Sequence, residues 1–173
     1  VKTGRAGQAK RHLTKVQYHS PQQIAFVQFD TKLRMTPYGA AAKMLRMHRS
    51  KEVVSRSSGL DTNGNGLGAL ATLDDTGLTV QLWNLDPQGS KTAHVEVSIA
   101  NVPQALRSDA LVVRRYLIDR AHSNCFAASD ASGGLEMVTE RKMDGSADFG
   151  LSAELEPMAL CLWQIEKALA ERQ

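Results

Sequence analysis

Cysteine is scarce in this sequence: Cys125 and Cys161 are the only two among 173 residues. That scarcity excludes a disulfide framework and a thiolate metal cluster, and it permits at most one disulfide. The apolar neighbours of Cys161 predict two buried thiols instead. Aromatic residues are also few, 5% of the chain. Trp83, Trp163, Tyr116 and Phe126 sit in mostly core-like settings, which argues against a surface platform for stacking sugars. No apolar run approaches the roughly 20 residues that a membrane helix needs. The basic N-terminus lacks the apolar segment of a signal peptide. The chain opens on Val1, as a processed or truncated protein does, so no compartment is assigned from it.

Acidic residues are nearly missing from the first 51 positions. Eleven Lys or Arg face Asp30 alone there, a charge of +10, and the total of +3 leaves −7 for the rest. A basic head on an acidic body could serve as a nucleic-acid arm, because clustered cations release counterions from phosphate. Only Tyr18 interleaves the first basic cluster, and no recognition-helix or RNA-binding signature follows. Docking of the head on an acidic surface is the favoured reading, and nucleic acid is not an expected partner.

What remains is an ordinary globular composition, 42% hydrophobic and 23% charged, enough for one main core. Residues 1 to 23 are polar and aperiodic and read as an arm. Ile24 to Phe29 reads as a short buried strand. "TPYGAAAKMLRMHRSK" reads as a helix, with Thr36 as its cap and Pro37 at the first helical position. Tyr38, Ala41, Ala42 and Leu45 recur at helical spacing and are expected to form its apolar face. From Val53 the period changes to two. "GALATLD", "GLTVQLWNLD", "KTAHVEVSIANV", "LVVRRYLID", "LEMVTERK", "DFGLSAEL" and "MALCLWQIEK" are strand candidates, separated by turn-forming pieces such as "DDTG" and "MDGS". Ala93, Val95, Val97 and Ile99 alternate with His94, Glu96 and Ser98, the pattern of a half-buried antiparallel strand. "MALCLWQIE" is apolar on both faces, as a strand held between two layers is. Seven or eight such strands predict an antiparallel β-sandwich, mainly β, preceded by a basic arm, a short strand and one amphipathic helix.

Two stretches imitate functional motifs. "DTNGNGLGALAT" puts Asp61, Asn63, Asn65 and Gly66 at calcium-loop positions, but Thr72 stands where the loop needs a bidentate glutamate. One carboxylate offsets the dehydration of a divalent cation poorly, so a turn is expected there, with no metal. "IDRAHSN" brings Asp119, His122 and Ser123 close together. Nucleophilic triads are assembled from separate loops, and adjacent side chains on extended backbone point apart. The residue types fit a turn network better: Asp119 and Asn124 satisfying backbone N–H groups, with His122 bridging to an adjoining segment.

"VRRYLIDRAHSN", Val113 to Asn124, resembles the Ile-Asp-x-x-His-Ser-Asn segment in the β-sandwich of glycoside hydrolase family 39, the β-xylosidase and α-L-iduronidase type. "TPYGAAAKML" is similar to the last barrel helix of these retaining glycosidases, "GLTVQLWNLDP" to a strand that ends in an Asn-containing turn, and "LSAELEPMALCLWQIEK" to the closing strand. The likeness runs from about Thr36 to Lys167. This chain departs from the family after Asn124, where "CFAASDASGG" leads almost directly into "LEMVTE".

The resemblance implies a division at residue 50, with the end of a TIM barrel in 1–50 and an accessory β-sandwich in 51–173. It implies work of bracing a barrel that hydrolyses β-xylosides or related glycosides. Retaining glycosidases use two carboxyl groups about 5 Å apart, and in the family the acid/base glutamate follows an asparagine. No Asn-Glu pair occurs in this chain. Glu96, Glu136, Glu140, Glu154, Glu156 and Glu166 fall on strand-like segments with a solvated face as the expected role, so no catalytic residue is carried over. Asp119, His122, Ser123 and Asn124 are the implied structural motif. The expected partners are the catalytic barrel and an oligosaccharide, with no cofactor. The alternative is a stand-alone sandwich that binds glycan or protein.

Overall fold

Strands that alternate apolar and polar residues each have one face to bury, and stacking two sheets satisfies them all. The computed structural model describes residues 28–60, 65–89, 91–107, 110–127, 130–131 and 133–168. The basic arm lies outside these residues, as does the expected strand Ile24 to Phe29 apart from its last two. Phe29 forms a single antiparallel bridge with Met35.

Nine strands form among the described residues: β1 (Lys51–Val53), β2 (Gly59–Leu60), β3 (Gly66–Leu73), β4 (Gly77–Leu85), β5 (Ala93–Ile99), β6 (Ala110–Ile118), β7 (Glu136–Asp144), β8 (Phe149–Leu155) and β9 (Leu160–Lys167). All pairing is antiparallel. The larger sheet runs β1-β3-β4-β9-β6-β7, with β2 also on β3, and the smaller sheet is β5-β8. The seven alternating segments of the sequence are β3 to β9. β1 and β2 were not expected, because "KEVVSRSSGL" carries no alternation; they form by pairing with the edge of β3.

The main core lies between the sheets. Leu78, Val80 and Leu82 of β4 and Cys161, Trp163 and Ile165 of β9 meet Leu151, Ala153 and Leu155 of β8. The opposite face of the larger sheet receives α1 (Pro37–Arg46), whose Ala40 and Met44 pack on Ile118 and Leu162. Thr36 caps α1 by accepting a hydrogen bond from Gly39 N (3.1 Å), and Pro37 opens the helix.

The helix is rotated from the expected face. Gly39, Ala40 and Met44 are buried, whereas Tyr38 is 48% and Leu45 59% exposed. The segment carries two apolar stripes, and close packing chose the one with the smallest residues. A Cβ on Gly39 would lie 2.3 Å from the Gln28 carbonyl oxygen, so only glycine permits this approach.

A second close approach lies in the larger sheet. Gly68 stands opposite Trp83, and a Cβ there would fall 2.2 Å from the indole ring, which lies over the glycine. Gly68→Ala is therefore expected to destabilise the protein by about 1–3 kcal/mol, the usual penalty of overpacking. Urea unfolding of the two proteins measures it, and an unchanged midpoint would show that the indole moves aside freely.

Candidate functional site

The turn after β6 is built by short polar side chains that bond to nearby backbone. Asp119 Oδ1 accepts from the N–H groups of Ala121 (2.8 Å) and His122 (2.6 Å). The His122 ring lies back on the same carboxylate, with Nδ1 at 2.9 Å from Oδ1 and 3.0 Å from Oδ2. His122 thus bonds within its own turn, and not to the adjoining segment expected from sequence. Its ring is 41% exposed, while the Asp119 side chain is 8% exposed.

Ser123 makes the link to the next strand. Its hydroxyl donates to the Leu117 carbonyl (2.6 Å) and accepts from Glu136 N (2.9 Å), and its own N–H donates to Glu136 Oε1 (2.8 Å). These three bonds tie the end of β6 to the start of β7. They also hold Ser123 at φ 52°, a left-handed conformation that costs a residue with a side chain roughly 1 kcal/mol. Asn124 closes the turn through Arg120 O (3.0 Å) and Phe126 N (3.1 Å). With its proton given to Leu117, the Ser123 hydroxyl has no bond to His122, so the three residues do not form a nucleophilic relay.

Burial works against the charge of Asp119, yet the His122 N–H, its ring and the Ala121 N–H together hold the carboxyl below the usual carboxylate range. Burial raises the thiol of Cys125, which follows the turn and is fully buried; nearby Asp30 raises it further. Cys161 is raised by burial as well, against the pull of Arg115. Both cysteines are free and buried.

A second polar cluster joins α1 to the sheet, and the sequence reading missed it. His48 lies just past the helix, with Nε2 2.6 Å from Gln81 Oε1 and Nδ1 3.2 Å from Thr72 Oγ1. Because Gln81 Oε1 can only accept, Nε2 is the donor in that bond. Arg49 donates its N–H to Thr72 Oγ1 (2.7 Å), and its guanidinium pairs with Glu166. Glu166 and Glu140 are both held by Arg114, at 2.8 and 2.6 Å. Glu136, Glu140 and Glu166 therefore do more than face solvent. A signal was available in β4, where Thr79 and Gln81 alternate with Leu78, Val80 and Leu82 and are nonetheless buried.

Of the calcium-like loop, Asp61 and Asn63 lie outside the described residues. Gly66 begins β3, and Thr72 points instead to Thr79 Oγ1 at 2.6 Å. Among the described residues no group of three His, Cys, Asp or Glu could hold a metal ion, and no helix is long and apolar enough to cross a membrane.

Together these features define an antiparallel β-sandwich with a helix on its larger sheet. No protein-family model and no curated protein matches the chain in sequence. Solved structures do match in fold, and they are glycoside hydrolases by name in several cases. A GH39 enzyme from Xanthomonas axonopodis pv. citri superposes with a TM-score of 0.64 at 11% identity, over 83% of this chain and 32% of that one. A monomeric β-xylosidase from Caulobacter crescentus CB15 gives 0.60 at 11%, over 83% and 33%. The protein N2152 from Neocallimastix frontalis gives 0.61 at 15%, over 82% and 33%. The chain thus has the fold of a portion of these proteins and spans about a third of their length.

The turn geometry predicts a pH dependence. A carboxyl whose folded pKa is depressed stabilises the fold fully above its unfolded pKa, and that contribution fades as pH falls through the folded value. Stability should therefore decline below about pH 4, and Asp119→Asn should decline less over the same range while losing about 1–3 kcal/mol at pH 7. His122→Ala should cost about 1 kcal/mol. Chemical denaturation from pH 2 to 7 checks both, and parallel curves for wild type and Asp119→Asn would refute the role of the carboxylate.

Proposed function

We propose that this chain is the accessory β-sandwich portion of a retaining glycoside hydrolase acting on β-xylosides or related glycosides. Residues 51–173 form the sandwich, and residues 1–50 are the end of the catalytic barrel. The chain braces that barrel and takes no part in the chemistry, since the catalytic carboxylates belong to the barrel.

The observation that carries this reading is the outer stripe of α1. A helix lying on a protein surface presents polar residues to water, yet Leu45 of α1 is 59% exposed, and Phe29 and Leu33 in the segment before the helix are 49% and 83% exposed. Among the described residues nothing covers these apolar side chains, which calls for a second body against this surface. The fold shared with glycosidases three times as long supports a barrel as that body. The Asp119 to Asn124 turn then serves as a rigid structural element beside the helix.

A stand-alone glycan-binding module finds less support. Trp163 is 3% exposed and offers no stacking face, and the half-buried Trp83 has one face of its ring laid over Gly68.

The purified chain should bind a hydrophobic dye and self-associate through this stripe. The double substitution Leu33→Ser, Leu45→Glu should reduce both effects while changing stability by less than about 0.5 kcal/mol. A monomeric wild-type chain that binds no dye would overturn the reading. The coding sequence upstream of Val1 gives an independent check: the reading expects an open frame of about 300 codons for a barrel with an Asn-Glu acid/base and a later glutamate nucleophile.

A further inference from the structure

A pair of strands on its own is marginal in water, so the smaller sheet relies on what joins β5 to β8 and on the core beneath them. β5 pairs with no other strand among the described residues. Just past its far end, the Asn101 N–H donates to Asp148 Oδ1 (2.9 Å) and the Val102 N–H to the Ala147 carbonyl (2.9 Å). At its near end His94 stands opposite Glu154, and their side chains meet.

The outer face of this sheet follows from the two-residue alternation. His94, Glu96 and Ser98 of β5 lie beside Glu154, Ser152 and Gly150 of β8, while Val95, Val97, Leu151 and Ala153 turn to the core. Neither strand contains Lys or Arg. Of the six outer residues, only His94 can carry a positive charge.

The His94 ring lies between two carboxylates. Its Nδ1 is 2.6 Å from Glu154 Oε1 across the sheet, and its Nε2 is 3.8 Å from Glu96 Oε1, two residues along its own strand. A carboxylate can only accept, so each contact is favourable only when the facing nitrogen carries a proton. The imidazolium satisfies both at once. The neutral ring has one proton to give, and its other nitrogen then turns a lone pair toward a carboxylate.

Cations on the neighbouring elements do not replace this arrangement. Arg115 of β6 spends its guanidinium on the Glu154 carbonyl (3.3 Å) and the Cys161 sulfur (3.4 Å), and not on the Glu154 carboxylate. Arg56, between β1 and β2, lines a cavity of about 260 Å³ together with His94 and Glu96, but the ion pairs of both carboxylates run to His94. The hydrogen bond and charge of Glu154, with a smaller contribution from Glu96, hold the imidazole above the usual histidine range.

We infer that His94 is a proton-operated clasp on the smaller sheet: its imidazolium bridges Glu154 of β8 to Glu96 of β5, and loss of its proton loosens β5 from the core. Val95, Val97 and Ile99 pack on that core, so a lifted β5 uncovers the inner faces of β4 and β8. A group whose folded pKa is raised contributes stability that is complete below its unfolded value, 6.5 for histidine, and lost as pH rises through the folded value. The clasp is therefore closed in mildly acidic solution and released in alkaline solution. Asp119 acts in the opposite sense and in a separate range, since its depressed carboxyl matters only below about pH 4.

Amide hydrogen exchange of the full 173-residue chain, corrected for the intrinsic pH dependence of exchange, tests the clasp. β9, at the centre of the larger sheet, serves as the internal reference. The side chains of His94, Glu154 and Glu96 are 58%, 64% and 85% exposed, so water screens them and the effect is modest. Opening of β5 relative to β9 should rise about two- to fivefold between about pH 5.5 and 8.5, the range that exposed charge pairs produce. His94→Gln should hold the ratio constant over that range. Glu154→Gln should shrink the rise and lower the His94 titration midpoint, followed by NMR of its ring, and Glu96→Gln should lower the midpoint by less. A flat ratio in the wild-type chain would overturn the inference, and this measurement needs no variant to fold. An equal rise in His94→Gln would also overturn it, as would a His94 midpoint that Glu154→Gln leaves unchanged.

Discussion

β9 is apolar on both faces, and each face needs its own cover. Cys161, Trp163 and Ile165 turn toward the smaller sheet, while Leu160 and Leu162 turn toward α1. A strand of this kind can lie only at the centre of a layered structure, with neighbours on both edges as well. β4 and β6 supply those neighbours, and their own inward residues extend the core in register. Removing either cover would leave several large side chains in water at once, which is why the sandwich and the helix form one unit.

The face beneath α1 changes character along the strands. Near the start of the helix it is aliphatic, with Ile118 and Leu162; past the end of the helix it becomes Thr72, Thr79, Gln81, Gln164 and Glu166. Apolar packing tolerates sliding, whereas the His48 and Arg49 bonds have fixed partners. The polar end therefore fixes the position of a helix that the apolar end merely attracts. Asn84 has a similar role on the other face, where its side chain bonds to the Lys91 and Leu155 carbonyls and ties β4 of the larger sheet to the end of the smaller one.

Seven strands were legible because six pair a two-residue alternation with turn signals, and the seventh, β9, is a short apolar run of the kind held between two layers. The cap of α1 was legible for a similar reason: Thr36 and Pro37 act through their own backbone. The buried face of α1 was not, since two stripes compete at helical spacing, and the winner depends on how closely Gln28 approaches Gly39. The turn after β6 was half legible. Asp119 and Asn124 act on residues within four positions, but Ser123 owes its burial to Glu136, thirteen residues away.

By itself the sequence determined the elements and their local order, because alternation, capping and turn chemistry act between near neighbours. It also set the absence of an Asn-Glu pair and the segregation of charge. Tertiary structure decided which surfaces meet: the rotation of α1, the polar joint at His48 and Arg49, and the laying of Trp83 over Gly68. Each of these depends on distances between segments, where Gly39 sets how close the Gln28 backbone comes and Gly68 how closely the Trp83 indole lies.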